Sequence, residues 1–214
     1  MSVPALTLYH NPQSRSAGAR VLLEALGVDY AVVPIDFASG QNRTPEFLAI
    51  NPLGKLPTLV HDGAVVTEQV AITIYLADRF SAGKLAPALD DPLRGPYLRW
   101  LAFYGACFEP ALVDHAYKRE PVVPSAAPYR DYDTVIDMVA TQLARGPWLL
   151  GERFTAADVL WGTALRWTTG FGIVPKLPAI TGYIERASAL PAFVRAGEKD
   201  AALMAELSAA SAAG

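Results

Sequence analysis

The chain is poor in the residues that cross-link or chelate: its 214 residues include one cysteine, Cys107, and three histidines, His10, His61 and His115. A single thiol cannot close an intramolecular disulfide, and the scattered histidines offer no metal-ligand spacing beside it, so disulfide scaffolds and zinc modules are excluded and no metal is expected. Charge is sparse as well. Charged residues make up 18%, and 18 Lys plus Arg against 21 Asp plus Glu leave a net charge of -3. With a pI near 5.6 there is no broad cationic surface for nucleic acid or an anionic membrane. Long apolar runs are missing: none approaches the roughly 18 to 20 residues that span a bilayer. The first ten residues lack a basic stretch followed by an apolar one, so no secretory leader is expected and a reducing cytoplasm is the expected setting. The patterns G-x-S-x-G, G-x-x-x-x-G-K-[ST] and G-x-G-x-x-G are absent, which argues against serine hydrolase, P-loop and dinucleotide sites.

What the chain does have is apolar bulk. Hydrophobic residues reach 52% and the mean hydropathy is +0.22, enough for one large domain or two small ones and outside the range of disordered chains. Residues 1–80 alternate strand and helix. Ala5 to Tyr9 is a short apolar run, Ala17 to Leu26 has helical apolar spacing closed by Gly27, and Tyr30 to Pro34 is extended, which makes a βαβ unit. Glu46 to Ile50 predicts a short helix stopped at Asn51-Pro52-Leu53-Gly54. Thr58 to Val60 and Ala64 to Val66 flank Asp62-Gly63 as a hairpin, and Val70 to Phe80 is an apolar-rich helix packed on the sheet.

Ser81 to Pro92 turns to Ser, Gly, Pro and Asp, so 81–91 is expected to link two domains, with 92–214 all-helical. Leu93 to Tyr117, Tyr129 to Ala144, Ala156 to Thr169, Ala179 to Ser188 and Ala192 to Glu206 suit helices. The last dozen residues, Leu203 to Gly214, are alanine-rich and expected to fray.

A β-α-β-α-β-β-α unit followed by a helical domain resembles the cytosolic glutathione transferases, and three stretches carry that resemblance. Leu6 to Ser16 resembles the first strand, active-site loop and helix start of the bacterial enzymes. Phe47 to Val60, with Asn51-Pro52-Leu53-Gly54-Lys55-Leu56-Pro57, resembles the glutathione-site segment with its cis-proline. Thr67-Glu68-Gln69-Val70-Ala71-Ile72 with Tyr75-Leu76-Ala77-Asp78 resembles the helix that receives the glutamyl end, in its beta-type form. The resemblance implies an α/β thioredoxin-like N-terminal domain, a glutathione cosubstrate and a homodimer. It assigns the cysteinyl unit of glutathione to Leu56 and Pro57, the γ-glutamyl group to Glu68 and Gln69, and the glycyl carboxylate to Lys55.

These residues also have plain physical readings. A proline at the start of a strand lacks the ladder N–H, and a cis bond before it would turn the Leu56 backbone outward to pair with an extended peptide; a trans proline simply starting the strand is the alternative. Glu68 and Gln69 stand where a helix start favours a ligand carboxylate and an acid suits an ammonium, although an acid in the first turn also serves the helix itself. Lys55 is otherwise a solvated surface charge.

Glutathione chemistry requires a stabilised thiolate. A free thiol ionises near pH 8.5, and a hydroxyl donor, a cation or a helix N-terminus lowers that value. Ser16, Ser14, Arg15, Tyr9 and His10 are the catalytic candidates on this loop, with an N-cap role the alternative for one of the serines. Arg15 falls where beta-type enzymes carry their active-site cysteine, so a cysteine mechanism is absent. Trp100, Tyr104 and Cys107 or Phe108 share one helical stripe. The resemblance makes Tyr104, Phe108 and Trp167 candidate contacts for a hydrophobic co-substrate, although such a stripe is more often core. Cys107 is read as a small buried apolar residue. Thr155-Ala156-Ala157-Asp158 resembles the capping box of the superfamily and should serve folding. The expected activity is conjugation of glutathione to an electrophilic, apolar small molecule, as in detoxification. The alternatives are a glutathione-dependent disulfide or peroxide oxidoreductase and a noncatalytic interaction protein.

Overall fold

A computed structural model of the chain describes residues 6–119 and 123–213; Ala5, where the first strand was expected to begin, and Gly214 lie outside the described residues. The chain forms two compact units: one takes the residues up to Phe80 and those from Leu190 onward, the other takes Ser81–Ala189.

The first unit contains β1 (Leu6–His10), α1 (Ser16–Leu26), β2 (Ala31–Pro34), α2 (Pro45–Ile50), β3 (Thr58–His61), β4 (Ala64–Thr67) and α3 (Gln69–Phe80). Its sheet has the order β2-β1-β3-β4, with β1 parallel to β2 and antiparallel to β3. This mixed thioredoxin-like sheet follows from local chemistry. Gly27 at φ 64 closes α1 by donating its N–H to the Leu23 carbonyl at 3.1 Å, the left-handed cap that glycine adopts without a Cβ penalty. Asp62 and Gly63 both have positive φ, as a two-residue hairpin matching the strand twist requires. On β1, Leu6, Leu8 and His10 alternate with Thr7 and Tyr9. The first set is buried on one face, while Tyr9 packs on the other against Phe47, among Ile35, Val33 and Leu56.

The last helix of the chain completes this unit. Pro191–Ala213, numbered α9 below, packs along α1, burying Phe193 and Ala196. Arg195 and Lys199 pair with Glu24, and Arg20 with Asp200. The sequence expectation ran the helical domain through residue 214. The difference arises because an amphipathic helix declares that it has an apolar stripe, not which domain the stripe faces.

The second unit holds α4 (Arg94–Phe103), α5 (Glu109–Ala116), α6 (Tyr132–Leu143), α7 (Ala156–Gly170) and α8 (Pro178–Ser188). The single helix expected over Leu93 to Tyr117 is interrupted by a π turn at Tyr104–Phe108. Pro110 has no N–H to donate and its ring crowds the carbonyl four residues earlier, so the wider turn ahead of it relieves that conflict. Trp161 is the centre of the core: Trp100, Tyr104 and Phe108 pack on its ring, and its indole N–H donates to the Trp100 carbonyl at 3.1 Å. Residues 81–91, expected as a linker, are fastened within this unit. Arg153 bonds Asp91 and the carbonyls of Gly83 and Ala86, and the Leu85 carbonyl accepts the Ala156 N–H.

Candidate functional site

The loop between β1 and α1 is organised by Asn11. Its side-chain amide donates to the Ile35 carbonyl at 2.8 Å, its side-chain oxygen accepts the Gln13 N–H at 2.8 Å, and its own N–H donates to Ser16 Oγ at 3.1 Å. Its carbonyl accepts the Ser14 hydroxyl at 2.8 Å and the Ser16 hydroxyl at 3.0 Å. The two serine oxygens are 2.7 Å apart, and the Ser16 N–H donates to Ser14 Oγ at 3.1 Å. Behind them His10 Nδ1 lies 2.7 Å from Ser16 Oγ, and His10 Nε2 lies 2.8 Å from Asp200 Oδ1.

This geometry sorts the five catalytic candidates. Ser16 and His10 are each 0% exposed, so neither meets a ligand except through Ser14, which is half-buried at the loop surface. Arg15 is half-buried at the start of α1, and its carbonyl accepts the Gln69 amide at 3.2 Å. Tyr9 is turned to the opposite face of the sheet, 5.5 Å from Phe47 between ring centres, and is set apart from the serines.

The glutathione candidates lie on the same unit. The Leu56-Pro57 bond is cis, and Leu56 buries its side chain in the cluster with Phe47. Among the described residues neither the N–H nor the C=O of Leu56 has a protein partner. The turn before it is held by Asn51, whose amide donates to the Lys55 carbonyl and to Thr58 Oγ1, both at 2.9 Å. Gly54 sits at φ 61, and a Cβ there would fall 2.5 Å from the Asn42 carbonyl oxygen. Lys55 and Glu68 are exposed and Gln69 half-buried. Glu68 adopts a left-handed φ of 67, and its carbonyl accepts the Ile72 N–H at the head of α3. Asn11, Asn51 and Asp200 are contributors the sequence reasoning missed. Both asparagines precede a proline, a turn-initiating pair that could have flagged them; nothing local marks Asp200.

In the second unit Tyr104 is 2% and Phe108 0% exposed. Both are packed on Trp161, with the Tyr104 hydroxyl bonded to Glu109, so they are core residues of that unit. Trp167 is half-buried against Phe171. Cys107 is half-buried rather than buried, its thiol 3.2 Å from the Pro128 carbonyl, because the π turn rotates it out of the stripe. A cavity of about 500 Å³ in the first unit is lined by Asn11, Gln13 and Phe37 with Met204 and Leu207 of α9. Among the described residues no group of three His, Cys, Asp or Glu could hold a metal ion, and no helix is long and apolar enough to cross a membrane.

Residues 4–78 match the glutathione S-transferase N-terminal domain and residues 129–186 its C-terminal domain. A crystal structure of a glutathione transferase from Methylococcus capsulatus superposes with a TM-score of 0.76 at 31% identity, covering 92% of this chain and 98% of that one. The chain belongs to the glutathione S-transferase family. Glutathione S-transferase 3 of Zea mays is 29% identical over 204 residues, 88% of this chain and 91% of the maize protein. The disulfide-bond oxidoreductase YfcG of Escherichia coli K12 is 26% identical over 201 residues, 87% of this chain and 92% of that protein.

Proposed function

We propose that this glutathione S-transferase family member conjugates glutathione, through its thiolate, to an electrophilic and apolar small molecule. The observation that carries the proposal is the Ser14 hydroxyl, at the surface of a loop fixed by Asn11, on the same unit as the unpaired Leu56 backbone. An extended tripeptide adding to Leu56 as a short strand holds its cysteinyl unit there. The γ-glutamyl group falls to Glu68 and Gln69, and the glycyl carboxylate to Lys55. The thiol is then lowered from its free value near 8.5 by a hydroxyl donor, the permanent charge of Arg15 and the N-terminus of α1. Phe37, Met204 and Leu207 give the neighbouring cavity an apolar wall, which supports an apolar co-substrate. Action in the cytoplasm as a homodimer belongs to the same proposal.

The similarity to YfcG favours a second reading, reduction of disulfides with glutathione supplying both sulfurs. Calorimetry with glutathione at millimolar concentration tests what the two readings share, and an absence of binding overturns both. With binding in hand, thioether formation from a chloronitrobenzene is compared with reduction of a mixed disulfide; activity in the second assay alone rejects conjugation.

A further inference from the structure

A thiol bound at Ser14 must lose a proton, and the loop behind Ser14 contains an acceptor for it. Asp200 Oδ1 lies 2.6 Å from Arg20 Nη1 and 2.8 Å from His10 Nε2. A carboxylate oxygen accepts from both, so Nε2 carries a hydrogen, which leaves Nδ1 as the nitrogen that can accept one. Nδ1 is 2.7 Å from Ser16 Oγ, which is 2.7 Å from Ser14 Oγ. The line from Asp200 to Ser14 therefore consists of short contacts. His10 and Ser16 are closed to water, and the Asp200 side chain is 17% exposed.

We infer that Ser14 and Ser16 relay the proton of the glutathione thiol to His10, with Asp200 as the positioning residue that fixes the ring; this rests on the glutathione reading above. The step moves three hydrogens and breaks no bond between heavy atoms. The thiol proton passes to Ser14 Oγ, the Ser14 hydroxyl proton to Ser16 Oγ, and the Ser16 hydroxyl proton to His10 Nδ1. The products are a thiolate and an imidazolium.

The donor and acceptor capacities close on both sides of the step. Before it, Ser16 donates to Nδ1 and accepts the Asn11 N–H and the Ser14 O–H, while Ser14 accepts the Ser16 N–H and the thiol. After it, Nδ1–H donates to Ser16, Ser16 to Ser14, and Ser14 to the sulfur; each serine oxygen still accepts two hydrogens. The Asn11 carbonyl, within reach of both hydroxyls, holds them when no thiol is bound. The charged groups facing the ring are Asp200 from α9 and, across the same carboxylate oxygen, Arg20 from α1. The Asp200 carboxylate stabilises the imidazolium as it forms, in the manner of an orienting acid behind a catalytic base.

The proton's destination is read directly by nitrogen NMR of the histidine ring in the full chain, assigned against His10→Gln. Two probes are used: glutathione and S-methylglutathione, which has no thiol proton to give. Protonation of His10 Nδ1 with glutathione and not with S-methylglutathione is the expected result. Thiolate absorbance without protonation of His10, or equal protonation with both probes, overturns the relay. If neither probe binds, the glutathione reading falls and the relay with it. In parallel, Asp200→Asn keeps the size of the side chain and an oxygen for Arg20. With the imidazolium deprived of its counter-charge, it should lower the acid limb of kcat/KM by about one pH unit and the plateau by about tenfold. Ser16→Ala should lower the same plateau, and the double variant should add little to either loss. A lower melting temperature with an unmoved limb reduces Asp200 to a structural contact.

Discussion

Replacing Asp158 with alanine tests whether one carboxylate holds the helical unit together. Asp158 is fully buried at the head of α7 and accepts four hydrogen bonds: the Leu149 N–H at 2.8 Å, the Thr155 N–H at 2.8 Å, the Thr155 hydroxyl at 3.1 Å and the Tyr183 hydroxyl at 3.0 Å. Alanine orphans the two N–H groups and the Thr155 hydroxyl, while the Tyr183 hydroxyl keeps the main-chain carbonyl of residue 158 at 3.3 Å. At about 1–3 kcal/mol for each buried donor, that is about 6 kcal/mol at mid-range. One term opposes it. Burial pushes the carboxyl up from 3.8 to about 6 despite its donors, and at 1.36 kcal/mol per pH unit the ionised group opposes folding by roughly 3 kcal/mol at neutral pH. The net destabilisation expected is about 3 kcal/mol, or roughly 6–12 °C in melting temperature for a chain of this size. All four tryptophans, Trp100, Trp148, Trp161 and Trp167, belong to the helical unit, so denaturant unfolding followed by their fluorescence reads this unit alone. A change below about 1 kcal/mol refutes the reasoning. Asp158→Asn supplies the pH check. Because the folded state keeps the proton to higher pH than the unfolded chain, the wild type loses stability relative to the asparagine variant as pH rises from about 4 to about 6. Parallel curves across that window show that the carboxyl is not displaced upward.

At Gly54, an alanine places its Cβ against the Asn42 carbonyl at a left-handed φ, a backbone conflict worth about 1–3 kcal/mol. Gly54→Ala should lower the melting temperature and weaken glutathione binding by calorimetry about tenfold, and unchanged affinity would separate this turn from the site. For Glu24, burial alone would raise the carboxyl, but hydrogen bonds from Lys199 and Tyr30, with the Lys199 charge, bring it below its usual 4.5. Its contribution is therefore present above about 4.5 and lost as pH falls through the lowered value. Glu24→Gln should flatten that acid loss and speed proteolysis within α9; an acid profile identical to the wild type refutes the assignment.

Much of the architecture was legible because it depends on neighbours in sequence. Gly27 after an amphipathic run, Asp62-Gly63 between two β-branched stretches and Thr155 three residues before Asp158 each specify an element end by local geometry. The expected strands and helices of the first 80 residues accordingly fall within about two residues of those observed. What resisted sequence reasoning depends on partners far along the chain. Ser16 stands at a helix start as expected, but its face is decided by His10 six residues earlier and Asp200 184 residues later. The alternation of Leu6, Leu8 and His10 on β1 did carry a signal that His10 faces inward. Tyr104 and Phe108 share a stripe in either interpretation, and only the position of Trp161 makes that stripe core. The interruption at Tyr104–Phe108 follows from Pro110, a signal that the sequence itself carries.

The docking of α9 onto α1 has a consequence for synthesis. Translation delivers β1 through α3 first, then about 110 residues of helical unit, and only then the helix that covers α1 and carries Asp200. At about 5–20 residues per second, the N-terminal unit waits roughly 5 to 20 s for its last piece. A chain interrupted before residue 190 leaves the ribosome with a sheet and loop in place, Arg20 and Glu24 stripped of their partners, and His10 without the carboxylate that orients it. Assembly of the proposed thiol site is thereby tied to completion of the chain.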